Sequence, residues 1–125
     1  MYKNYPIVNR SVLTVTPGEP FIDWVVDCSK KYDKPGNRLK QSSIETEGFD
    51  SKYIYLIPDF DNNDRYNKFM QKHCPDIFED ILGGWYAIPK FWPEKRNWQV
   101  FKKWFRYEIN TMVQDLSSNR QLGYY

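Results

Sequence analysis

Residues 11–32 read SVLTVTPGEPFIDWVVDCSKKY, and a change of period inside this stretch decides the fold class. Ser11 to Thr16 is rich in β-branched residues and stops at Pro17-Gly18, the pattern of a strand followed by a turn. Beyond the turn, Phe21, Trp24, Val25, Cys28 and Tyr32 fall at i, i+3, i+4, i+7 and i+11. That spacing makes one apolar stripe on a helix, with Asp23, Asp27 and Lys30 pointing elsewhere. Pro20 suits the first helical turn, where its missing N–H has no partner to lose. Cys28 is then most simply a core residue, with a reactive thiol as the alternative.

Working outward, Asp33 to Asp50 has few apolar residues and reads as a long surface loop, with Lys34-Pro35-Gly36-Asn37 arranged as a type II turn wants. Lys52 to Ile57 (KYIYLI) predicts a second strand ended by Pro58, and its apolar residues on both faces predict a buried, central position. From about Asp64, Tyr66, Phe69, Met70, His73, Ile77 and Ile81 keep one helical register across Pro75, giving one kinked helix or two short ones, terminated at Gly83-Gly84. Trp85 to Trp92 (WYAIPKFW) is an aromatic connector. A third helix is expected from Pro93 or Asn97 to Arg106, and a last strand over Ile109 to Leu116. Residues 117–125 form a polar tail expected to fray. No internal repeat is present. The order β-α-loop-β-α-(α)-α-β predicts a single α+β domain over residues 1–125, with a small sheet of about three strands and helices packed on one face. Some strand pairs are open to parallel pairing through crossovers.

The composition supports a packed core. Of 125 residues, 23 are aromatic and 22 are Ile, Val or Leu. The net charge of +2 hides a segregation: residues 59–80 carry three basic and six acidic groups, and residues 81–106 carry six basic and one acidic. A total this small does not itself argue for nucleic-acid or membrane affinity, although a local basic face still can. Met1 to Arg10 holds no apolar run followed by a small-residue cleavage site, and no window approaches the length of a membrane span. Cys28 and Cys74 lie far apart in a chain large enough to need no staple, so the cytoplasm, with reduced thiols, is the expected compartment.

Few residues point to chemistry. Asp59, Asp61 and Asn63 imitate the opening of a calcium loop, but Asp64 stands where Gly is needed and Met70 where a bidentate Glu is needed. Asp61 reads instead as a helix N-cap with Asp64 as its capping-box partner, and a carboxylate-metal enzyme at Asp59 and Asp61 is kept as a second alternative. His73 and Cys74 are neighbours on a helix and diverge by about 100°, so they make no nucleophile pair. Asp76, Glu79 and Asp80 share a helix face and read as solvated. No phosphate loop, nucleophile elbow or zinc spacing appears, and neither a metal site nor a cofactor is expected.

Two surface features remain. Trp85, Tyr86, Phe91 and Trp92 have no periodic explanation, so the connector must either fold onto the core or expose an apolar patch of the kind that marks partners. On the third helix, Lys95, Arg96, Lys102, Lys103 and Arg106 occupy the arc opposite Trp98, Val100, Phe101, Trp104 and Phe105. That arc is open to three readings: a solvated surface, a partner for the acidic 59–80 region within the chain or in a homodimer, and a site for single-stranded nucleic acid.

Asn9-Arg10-Ser11-Val12-Leu13, Pro20-Phe21-Ile22-Asp23-Trp24, Tyr55-Leu56-Ile57-Pro58, Trp92-Pro93-Glu94-Lys95-Arg96, Phe101-Lys102-Lys103-Trp104-Phe105 and Val113-Gln114-Asp115-Leu116 together resemble a family of small bacterial proteins without an assigned activity. The resemblance spans nearly the whole chain in short pieces, leaving out the 33–50 loop and the 117–125 tail. It implies a bacterial single-domain protein and assigns no site residue. The function expected is a non-enzymatic protein-interaction module whose partner is another protein or a second copy of the chain. Single-stranded nucleic acid bound through residues 95–106 is the alternative, and no membrane is involved.

Overall fold

A computed structural model describes residues 5–39, 52–117 and 122–125. Among these residues there are three strands, β1 (Arg10–Pro17), β2 (Tyr53–Pro58) and β3 (Phe105–Asn110), and three α-helices, α1 (Glu19–Tyr32), α2 (Asn63–Trp85) and α3 (Trp98–Trp104). The sheet order is β2-β1-β3, and both pairings are antiparallel. No pair is parallel among the described strands: β2 and β3 share a direction, and β1 lies between them.

The inward residues of β1, namely Ser11, Leu13, Val15 and Pro17, are buried, while Val12, Thr14 and Thr16 are half-buried. This alternation follows from the period of two in a strand whose helices lie on one face only. The expected α+β architecture is therefore present. The aromatic composition goes largely into the layer between sheet and helices, where Phe105 sits 5.3 Å from Phe21, 5.1 Å from Phe78 and 5.0 Å from Phe101 between ring centroids. Aromatic pairs at these separations favour the tilted and edge-on geometries found here.

Several local expectations are corrected. β2 is an edge strand, not a central one, and the side chains it turns to the helix-free face are exposed, Ile54 at 68% and Leu56 at 53%. An apolar run reads the same whether its outer face is covered or bare, which is why the pattern misplaced it. The Lys34–Asn37 segment is a 3₁₀ turn with Asn37 N–H donating to Lys34 O at 2.8 Å, and Gly36 does not take the positive φ that a type II turn requires. The rest of the expected 33–50 loop, from residue 40, lies outside the described residues, as do residues 118–121 of the tail.

α2 is one helix that runs through Pro75. The missing N–H of Pro75 frees the Gln71 carbonyl, and the Cys74 thiol donates to it at 3.6 Å. Its buried face is Tyr66, Met70, Cys74, Ile77, Phe78, Ile81 and Leu82, so Phe69 and His73 lie at the edge of the stripe, with their rings 4.3 Å apart. Gly83 and Gly84 do not stop the helix. It ends after Trp85, where Tyr86 N–H closes on Leu82 O at 3.0 Å.

The third helix is shorter than expected and the last strand begins earlier. Phe105, Tyr107 and Ile109 face the helices while Arg106, Glu108 and Asn110 face out, a period of two that overlaps a plausible helical stripe. Gly18 N–H donates to Trp104 O at 2.7 Å and Pro17 pairs with Phe105, so antiparallel pairing with β1 takes over as soon as α3 ends. Residues 111–116 are not strand, apart from a bridge between Ile7 and Gln114.

Candidate functional site

The connector after α2 is built inward. The Trp85 indole N–H donates to Tyr53 Oη at 2.9 Å, and the Trp92 indole N–H donates to the Tyr86 carbonyl at 2.7 Å. From α1, the Trp24 indole N–H donates to the Phe91 carbonyl at 2.9 Å, and Tyr32 stacks on the Phe91 ring with centroids 3.6 Å apart. Tyr86 Oη donates to Asp33 Oδ2 at 3.0 Å, and the buried Ser29 hydroxyl donates to the same oxygen at 2.8 Å while accepting from Leu39 N–H at 2.7 Å. Burial and the Asp33 hydrogen bond push the Tyr86 phenol up to about 12. Trp85, Tyr86 and Trp92 are half-buried and pack against the core, and Phe91 is half-buried against Tyr32, so these four rings fold inward while Ile88 between them stays exposed.

The basic residues do not share one helix face. Lys95 and Arg96 precede α3, Lys102 and Lys103 lie on it, and Arg106 belongs to β3, on the outer side of the sheet. The correction follows from the early end of α3. Arg96 is already engaged: Nε and Nη2 donate to Glu79 Oε1 at 3.1 and 2.9 Å, Nη1 donates to Pro93 O at 2.7 Å, and the guanidinium lies 5.7 Å from the Trp92 ring centroid. The acidic helix face is thus partly paired within the chain. Asp80 also takes part, accepting from Tyr55 Oη at 2.7 Å, and burial with that carboxylate beside it raises the Tyr55 phenol well above the usual range.

Asp59 and Asp61 serve different partners. Ser11 Oγ, Tyr66 Oη and Asp59 Oδ1 lie 2.7 to 3.0 Å from one another, and Phe60 N–H donates to Tyr66 Oη at 3.0 Å. Two hydroxyl protons are shared among three oxygens there, and the cluster ties central strand β1 to the start of α2. The N-cap is Asn62, one residue later than expected: its side chain accepts from Arg65 N–H at 3.0 Å. Asp61 instead pairs with the Arg65 guanidinium at 3.2 Å. Among the described residues, no three His, Cys, Asp or Glu side chains are grouped so as to hold a metal ion. Cys28 and Cys74 are both buried free thiols, and burial raises the pKa of each, which disfavours the reactive thiolate.

The face of the sheet that no helix covers among the described residues is the feature that sequence reasoning missed. Register pairs Leu56 with Val12 and Ile54 with Thr14, so two exposed apolar side chains lie side by side with β1 residues on the outer surface. A hollow of about 440 Å³ continues this surface, bounded by Val8, Arg10, Leu56, Val113, Leu122 and Tyr124. The one usable signal was the lack of polar alternation in YIYLI. Among the described residues, no helix is long and apolar enough to cross a membrane. Comparison of the chain with known protein families, with curated proteins and with solved structures finds no match, so its function has to be argued from its own residues.

Proposed function

We propose that this chain is a non-enzymatic protein-interaction module of the bacterial cytosol, and that it works by pairing with a second copy of itself along β2. One observation carries the reading: β2, Tyr53–Pro58, is an edge strand with no charged residue, and it holds Ile54 and Leu56 exposed on the face that no described helix covers. Soluble proteins usually guard such an edge with lysine, a bulge or a covering segment, and a long apolar edge is a template for strand addition. Antiparallel pairing about Tyr55 sets Ile54 of one copy opposite Leu56 of the other, twice by symmetry, and extends the sheet to six strands. That is an isologous contact that closes on itself.

The magnitude is modest. Burying four half-exposed aliphatic side chains contributes about 4–8 kcal/mol, and association costs of similar size offset much of it. The buried free thiols Cys28 and Cys74 support a reducing compartment.

Sedimentation velocity over roughly micromolar to millimolar concentrations tests the reading. The expected result is a concentration-dependent dimer that Ile54→Lys with Leu56→Lys returns to a monomer of unchanged circular dichroism. A chain monomeric throughout, or a folded double variant that dimerises like the parent, overturns it.

A further inference from the structure

We propose that the cleft between the first turn of α1 and the junction of α3 with β3 binds a phosphomonoester dianion through Lys102, Lys103 and Arg106. The cleft has a volume of about 440 Å³, and the three cations share its lining with Glu19 and Ile22. Three basic residues against one carboxylate give this lining a net charge of +2, which matches a dianion.

The pairing of the other guanidiniums sharpens the contrast. Arg65 sits on Asp61 and Arg96 on Glu79, whereas among the described residues no carboxylate comes within ion-pair distance of Lys102, Lys103 or Arg106. Lys102 Nζ lies 5.3 Å from the centroid of the Trp98 ring. Like charges left together without a counter-charge repel, and a bound anion relieves that repulsion. Arg106 supplies the planar fork that suits phosphate oxygens, and the lysines supply point charges.

The backbone that carries these cations is fixed before any ligand arrives. α3 passes into β3 with no intervening residue, the side chain of Phe105 is buried between Lys103 and Arg106 in sequence, and Gly18 N–H bonds to Trp104 O at 2.7 Å. Side chains anchored on such a junction lose less freedom on binding than side chains on a loop.

The geometry favours a monoester over a nucleic-acid backbone for two reasons. Arg96 is tied to Glu79, so among the described residues the basic side chains of 95–106 form no continuous track for a strand to follow. Three basic residues against the one carboxylate of Glu19 match the two charges of a monoester better than the single charge of each diester phosphate, and Ile22 offers an apolar wall to the organic part of a small ester.

The test is an amide ¹⁵N–¹H NMR titration with inorganic phosphate at low salt and about pH 8, where phosphate is the dianion. Saturable shifts are expected at Gly18, Glu19, Lys102, Lys103 and Arg106, with a dissociation constant on the order of a millimolar. Lys103→Gln with Arg106→Gln should weaken binding at least about tenfold, and Glu19→Gln should tighten it severalfold. Shifts that do not saturate, or that spread evenly over surface lysines, overturn the proposal, as does a folded double variant that binds like the parent. An oligonucleotide without terminal phosphate that binds these residues as tightly as phosphate overturns the monoester assignment. The cleft and the β2 edge lie on opposite sides of β1, so dimerisation and phosphate binding can fail independently.

Discussion

Gly18→Ala is expected to destabilise the protein by about 2–3 kcal/mol, and the reasons are geometric. Gly18 has φ −99° and ψ 179°, extended backbone that alanine also adopts, so no conformational strain is involved. The obstacle is space: a Cβ at position 18 would lie 2.9 Å from Trp104 O and 3.3 Å from its carbonyl carbon, both backbone atoms that cannot swing aside. Reaching ordinary contact near 3.4 Å moves the start of α1 away from the α3–β3 junction by about half an ångström, at an overpacking cost of about 1–3 kcal/mol. The same movement stretches the 2.7 Å bond from Gly18 N–H to Trp104 O, whose loss costs about 0.5–1.5 kcal/mol. Against these stands a gain of about 0.4–1 kcal/mol from a less flexible unfolded chain. Urea unfolding followed by tryptophan fluorescence reads the result. With a slope of roughly 1–3 kcal/mol/M, the midpoint should fall by about 1–2 M at constant slope. Gly84→Ala is the contrast, because its Cβ meets nothing within 4 Å and its φ is not positive. Sitting inside α2, it should raise stability by about 0.5–1 kcal/mol. A Gly18→Ala midpoint equal to or above that of the parent would refute the argument from close approach.

Two further outcomes follow from individual contacts. Asn62→Ala should cost about 1 kcal/mol by removing the α2 cap, and Asp61→Ala should cost less, because its pair with Arg65 is exposed on both sides; urea midpoints in the reverse order would show that the cap is misassigned. In alkali, the folded Tyr86 phenol keeps its proton up to about 12 while the unfolded one releases it near 10, so stability should fall as pH rises through that window. Tyr86→Phe should make that fall shallower between about pH 10 and 12, and an identical decline in parent and variant would contradict it.

The elements were legible where one period was unambiguous. β1 and α1 could be read from SVLTVT and from the Phe21–Tyr32 stripe because periods of 2 and 3.6 do not overlap there, and Pro17-Gly18 punctuates them. Around Phe105 the two periods coincide: Phe101 and Phe105 satisfy a helical stripe, while Phe105, Tyr107 and Ile109 satisfy an alternating strand. What decides between them is a partner distant in sequence, since β1 supplies the hydrogen bonds that stop the helix at Trp104. Local pattern carries no term for that partner.

The same limit governs the surface. A run such as YIYLI reports that its residues are apolar but not whether anything lies over them, because coverage depends on which faces the helices choose after the sheet has formed. The three described helices take the face of Leu13, Val15 and Ile57, and the opposite face keeps Ile54 and Leu56 in contact with water. The aromatic connector shows the converse. Its rings looked surplus because no period placed them, yet their indole N–H groups find Tyr53 Oη and the Tyr86 carbonyl, partners visible only once the chain is folded. Apolar residues without periodicity are therefore weaker evidence for an interaction surface than apolar residues with periodicity and no cover. By that criterion β2 is the better place for the proposed interaction surface, because strand geometry fixes Ile54 and Leu56 outward and no side-chain rearrangement can turn them in.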